Sequence, residues 1–219
     1  VMNELKEKRG IVGIYGHSLP VSKLCFFSLF ALQHRGQEAS GITTNDGEKF
    51  RTHKGAGLVA GVYKEEDINA LTGHIGIGHN RYSTSAGGAL CHAQPVVNDS
   101  EDFALAHNGN LPSVHALEEF LSSNGALKSD RNDSELITDA IDFHLQKGLN
   151  ITESVKKVFP LLTGAFSLIM MTKNELVALR DRYGMRPLSL GKVKDGHILA
   201  SETCAIKTIA GEFIREIEP

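Results

Sequence analysis

Residues 7–16 read EKRGIVGIYG. The charged run stops at Arg9, and GIVGIYG continues as a short apolar segment punctuated by glycines. That texture predicts a buried strand over 11–15, with glycines where another backbone comes close. A guanidinium at the lip of such a strand calls for an explanation, and the explanation depends on the rest of the chain.

Outward from that strand, an apolar run, LCFFSLFAL (24–32), predicts a buried helix over 21–34, with Ser22 as its cap and Gly36 as its stop. The run is too short to cross a bilayer, and QHRGQE follows it rather than a signal-peptide cleavage site. Asn45-Asp46-Gly47 predicts a hairpin between strands over 39–44 and 49–53. A short helix over 64–71 leads to IGIGHNRY (75–82), a strand with glycines at 76 and 78, and to a strand over 103–107 that ends in a loop HNGN. Helices are predicted over 113–123, 134–147 and 151–161. AFSLIMMT, ELVALRD, PLSLGKV and HILASE then follow as strands. Strands at both ends bracket a helical middle, which predicts one α+β domain of two sheets with helices outside them.

The 219 residues suit one sizeable core. Hydrophobic residues make up 41% and charged residues 22%, ordinary for a globular chain. A net charge of −3 with scattered Lys and Arg favours neither nucleic acid nor an anionic membrane as partner. Cys25, Cys91 and Cys204 are odd in number and lack metal-site spacing, so neither a disulfide framework nor a metal site is expected, and a reducing cytoplasm is.

Four polar stretches carry the chemistry. QHRGQEASG (33–41) reads by itself as a polar helix end with a glycine cap, and as part of a site only with partners elsewhere in the chain. GHNRYST (78–84) places Arg81 at a strand end, where it suits a substrate carboxylate or a surface ion pair. In HNGN (107–110), the Asn108 amide beside the bare N–H of Gly109 is the make-up of an oxyanion hole, and also that of a common turn. SDRNDSE (129–135) puts Asp133 at a helix start, where it can cap the helix or hold a substrate ammonium. Together, these groups describe a pocket for a free α-amino acid whose acyl group is attacked.

In this combination and order, GIVGIYG, LQHRGQEASGI, IGIGHNRYST, LAHNGNL and DRNDSE resemble the class II glutamine amidotransferases. RYST, QHRGQE, DRYGMRPLSLG (181–191) and ASETCA (200–205) are most similar to their amidophosphoribosyltransferase branch. The resemblance covers the chain from Gly10 to Pro219. It implies a four-layer αββα sandwich of the N-terminal-nucleophile hydrolase type, acting on glutamine in purine biosynthesis. It also implies a cysteine thiolate directly before GIVGI, whose own α-amine serves as base. Arg81 then takes the glutamine α-carboxylate, Asp133 the α-ammonium, and Asn108 with the Gly109 N–H the oxyanion. Arg35 and Thr84 line the site.

Two departures stand out. Arg9 occupies the position of the cysteine, behind residues 1–8, which read as an uncleaved propeptide. A guanidinium is no nucleophile, so the chain is expected not to hydrolyse glutamine. The charged run predicts that Arg9 turns to solvent with it; the alternative is that Arg9 folds inward and pairs with a carboxylate, Asp133 first among them. The family's C-terminal phosphoribosyltransferase domain, which takes the ammonia, phosphoribosyl pyrophosphate and Mg²⁺ and belongs to a homo-oligomeric full-length protein, has no counterpart in 9–219. No cofactor is expected in this domain. A non-catalytic amino-acid-binding or structural module of the same fold is the alternative.

Overall fold

A computed structural model describes residues 9–82 and 92–219. A seven-stranded antiparallel sheet contains β1 (Arg9–Tyr15), β2 (Ala39–Asn45), β3 (Phe50–Ala56), β4 (Ile75–Arg81), β9 (Ser189–Val193), β10 (Gly196–Ala200) and β11 (Glu212–Glu216). Its order is β11-β9-β10-β1-β4-β2-β3. A second sheet runs in the order β5-β6-β7-β8, from β5 (Val96–Val97), β6 (Phe103–Asn110), β7 (Ala165–Thr172) and β8 (Leu176–Arg180).

Three apolar layers make this a sandwich. Val12, Ile14 and Ile42 of the large sheet pack under α1 (Val21–Ala31), α2 (Val59–Val62), α3 (Glu65–Ala70) and α7 (Thr203–Thr208). Ile11, Ile75 and Ile77 meet Ala104, Ala106, Ile169 and Met171 between the sheets. Leu105, Phe166 and Leu168 pack under α4 (His115–Ser123), α5 (Asp133–Gln146) and α6 (Ile151–Val158). The result is the expected αββα order. β1 reads as an unbroken apolar run because both of its faces are covered: Ile11 serves one layer, Val12 and Ile14 another.

The glycines of β4 let α1 lie close on the sheet. A Cβ at Gly76 would stand 2.6 Å from Val21 Cγ1, and one at Gly78 would stand 2.8 Å from Leu29 Cδ1. Helix α1 itself differs from expectation. It stops at Ala31, a 3₁₀ turn carries Gln33–Arg35, and Phe27 and Phe30 face outward, half exposed. Ser22 is no cap; its hydroxyl donates to the Ile68 carbonyl at 2.9 Å.

Candidate active site

The pairing of β1 with β4 places Arg9 opposite Arg81 and Ile11 opposite His79. Cross-strand partners share a face, and Ile11 lies between the sheets. Arg9, Arg81 and His79 therefore project toward the second sheet. On β6, Ala104 and Ala106 face the same layer, and alternation brings Asn108 there too, opposite Ser167 of β7.

Arg9 thus turns inward, contrary to the solvent-facing pose expected from the charged run. Strand alternation decides the direction of a side chain; the run preceding the strand does not. Its Nη1 donates to the carbonyl oxygen of Gly109. Among the described residues no carboxylate lies within ion-pair distance of it. Burial presses the guanidinium below its ordinary pKa. The Asp133 charge opposes this, and those of Arg81 and Arg186 add to it.

HNGN is strand rather than loop, since β6 runs to Asn110 through pairing with β7. Phe166, opposite Gly109, directs both backbone groups toward β8: its N–H donates to Asp181 Oδ2 at 3.0 Å, and its carbonyl accepts from the Asp181 N–H at 3.0 Å. Gly109 therefore turns its own N–H and carbonyl away from β7, toward the side where Arg9 arrives. Only glycine fits there, because a Cβ would stand 2.6 Å from the Ala165 oxygen and 2.8 Å from His107 Nε2. The Asn108 side chain is 2% exposed, and its Nδ2 has no partner.

Asp133 is the first residue of α5 and not its cap. Asn132 caps the helix in a reciprocal box, accepting from the Glu135 N–H at 3.1 Å while Glu135 Oε2 accepts the Asn132 N–H at 2.9 Å. That arrangement leaves the Asp133 carboxylate available to a ligand. It accepts from the Ser134 N–H at 2.8 Å, the Ser134 hydroxyl at 3.3 Å and the Leu111 N–H at 3.5 Å, and His107 Nδ1 stands 3.8 Å away. Arg81 Nε stands 3.7 Å from Glu38 Oε2, and its Nη1 is buried without a partner.

Arg35 holds the Arg9 backbone in place. Its Nε donates to the Arg9 carbonyl at 2.8 Å, and its Nη1 meets Glu202 Oε1 at 2.5 Å. Thr84, like Cys91 and residues 1–8, lies outside the described residues.

Several supporting residues escaped the sequence reading. Ser201 Oγ accepts the Ile11 N–H at 3.0 Å, so the Ser201-Glu202 pair of ASETCA anchors β1 directly and through Arg35. Gln94 accepts the His107 N–H at 2.7 Å and donates to Ser134 Oγ at 3.0 Å, while His107 Nδ1 meets the same hydroxyl at 3.0 Å. His79 Nε2 lies 3.2 Å from the His107 carbonyl. Nothing in the local sequence marks Gln94; it reaches the site only through the fold.

No described thiol replaces a nucleophile at position 9. Cys25 is fully buried against the sheet, and burial pushes its pKa far up. Burial and the neighbouring Glu202 also raise Cys204. Among the described residues no group of three or more His, Cys, Asp or Glu is placed to hold a metal, and no helix is long and apolar enough to cross a membrane.

Comparison with known proteins agrees with this geometry. A glutamine amidotransferase domain model matches residues 79–208. Amidophosphoribosyltransferase of Methanocaldococcus jannaschii is 41% identical over 213 residues, covering 96% of this chain and 45% of that protein. The Bacillus subtilis enzyme is 36% identical over 219 residues, covering 98% and 45%. The chain thus spans under half the length of these relatives. Among solved structures, glutamine phosphoribosylpyrophosphate amidotransferase from B. subtilis, complexed with ADP and GMP, superposes with a TM-score of 0.84 at 34% identity, covering 96% of this chain and 45% of that one. An allosteric regulatory enzyme of purine biosynthesis gives 0.87 at 36%, with the same coverage. The chain belongs to the glutamine amidotransferase domain family, in the form found in amidophosphoribosyltransferases.

Proposed function

We propose that the chain is the glutamine-binding half of an amidophosphoribosyltransferase-type protein, with the amino-acid pocket kept and the nucleophile lost. The observation that carries this reading is the inward Arg9, set among Arg81, Asn108 and Asp133 at the position where the family resemblance puts its cysteine. In that reading Arg81 takes the substrate α-carboxylate and Asp133 the α-ammonium. The unpartnered Asn108 Nδ2 and the outward N–H of Gly109 supply the oxyanion donors. Arg35 positions residue 9, and the family resemblance assigns Thr84, which lies outside the described residues, to the same site.

Hydrolysis needs a lone pair at residue 9, and a protonated guanidinium has none to offer. In a catalytically complete relative, ammonia released here passes to a phosphoribosyltransferase domain that holds phosphoribosyl pyrophosphate and Mg²⁺, in a cytoplasmic homo-oligomer. For this chain that domain remains part of the proposal, as does the propeptide character of residues 1–8. A non-catalytic amino-acid-binding module is the second reading, and the same inward guanidinium favours it. Coding sequence beyond Pro219 separates the two, a phosphoribosyltransferase domain supporting the first.

Incubating the purified chain with glutamine tests the proposal. Glutamate release stays at background and is unchanged by Asn108→Ala. Steady release that Asn108→Ala abolishes would overturn it.

A further inference from the structure

The reaction end of the pocket holds a buried cation. Arg9 enters it with a charge and, among the described residues, no carboxylate within ion-pair distance. Asn108 Nδ2 is buried and unpartnered, and the Gly109 N–H points the same way as the Gly109 carbonyl. Arg9 already donates to that carbonyl. The charges of Arg81 and Arg186 act on Arg9 in the same direction as its burial, and that of Asp133 opposes them.

A carboxamide brings an –NH₂ that needs an acceptor, whereas a carboxylate accepts only. A buried cation at the pocket end discriminates between the two, because it pairs with the carboxylate and offers an –NH₂ group only another donor. Arg9 also stands directly opposite Arg81 in the β1–β4 pairing, so its position is fixed relative to that group.

From this arrangement we infer that the site binds an α-amino dicarboxylate, glutamate, in preference to glutamine, with the side-chain carboxylate against Arg9 and Asn108. The inference rests on the reading of Arg81 and Asp133 given above. It makes Arg9 a specificity residue, one that turns a pocket for a neutral amide into a pocket for an acid.

Calorimetric titration of the full chain with L-glutamate and with L-glutamine tests it. Glutamate binds about tenfold more tightly, the margin of a charge-assisted over a neutral contact. Arg9→Lys keeps the preference, and Arg9→Gln removes it. Glutamine binding as tightly as glutamate in the parent chain overturns the inference, as does a parent that binds neither. In that event Arg9→Ala separates the two claims. If it binds glutamine, the amino-acid pocket stands and only the acid preference falls. If it too binds neither amino acid, both fall.

Discussion

Arg9→Cys in a chain that begins at that cysteine raises glutamine hydrolysis on the order of 10³-fold or more above the parent, the scale on which removing a nucleophile acts. The same substitution with residues 1–8 still attached stays at background. In the proposed function residue 9 is the nucleophile position, and its backbone is already held in place. Its carbonyl is fixed by Arg35 at 2.8 Å, its strand is anchored by Ser201 at 3.0 Å, and its side chain points between the sheets at Gly109. Removing the guanidinium frees the Gly109 carbonyl and lifts a cation from beside Asp133. Only the thiolate and its base are then missing, and in the family resemblance the base is the α-amine of that cysteine. Full turnover by an intact, unprocessed Arg9→Cys chain would show that the amine is dispensable. Background activity in the trimmed variant would show that position 9 is not the nucleophile position.

A second large effect is expected from acid. His107 is fully buried, and burial lowers its pKa from 6.5 to about 4; Asp133 opposes the shift, while Arg9 and Arg186 reinforce it. His79 is pressed well below its ordinary value by burial, by Arg9 and by His107. Both are therefore neutral in the folded chain at pH 7. The sign follows from linkage. A depressed folded pKa means that the stability is present above about 6.5 and is lost as pH falls toward 4, because only the unfolded chain takes up the proton. Between pH 7 and pH 5, His107 alone lowers stability by about 2 kcal/mol, and His79 acts in the same direction. Denaturant unfolding at pH 7, 6 and 5 measures the slope, which is shallower in His107→Gln. Identical slopes in parent and variant would remove His107 from this explanation.

What could be read in advance and what could not divide along physical lines. β1 and β4 were readable because burial on both faces and close helix approach leave apolar runs with glycines at fixed places. The Asn45-Asp46-Gly47 turn was readable because its side chains bond their own backbone: Asp46 Oδ1 accepts from Glu48 and Lys49 at 3.0 and 2.8 Å. β6 was cut short in the sequence reading because Asn and Gly disfavour strands, yet pairing with β7 carries the strand through Asn110. The two-residue β5 and the wholly exposed β11 have no periodicity to detect. At the site, the residue types of Arg81, Asn108, Gly109 and Asp133 were readable. The capping role of Asn132, the hold of Arg35 on Arg9 and the reach of Gln94 were not, since each depends on which neighbour a side chain meets after folding. The direction of Arg9 could have been taken from its register with Ile11.

Covalent labelling measures most directly whether position 9 is the reaction end of an amino-acid pocket. A glutamine analogue with an electrophilic diazoketone in place of its carboxamide is offered to the trimmed Arg9→Cys chain, and the adduct is located by peptide mass spectrometry. The expected result is a single adduct on residue 9, lost when Asp133→Asn is added and absent from the parent. An adduct on Cys25 or Cys204 with residue 9 unlabelled, or equal labelling with and without Asp133, would contradict it.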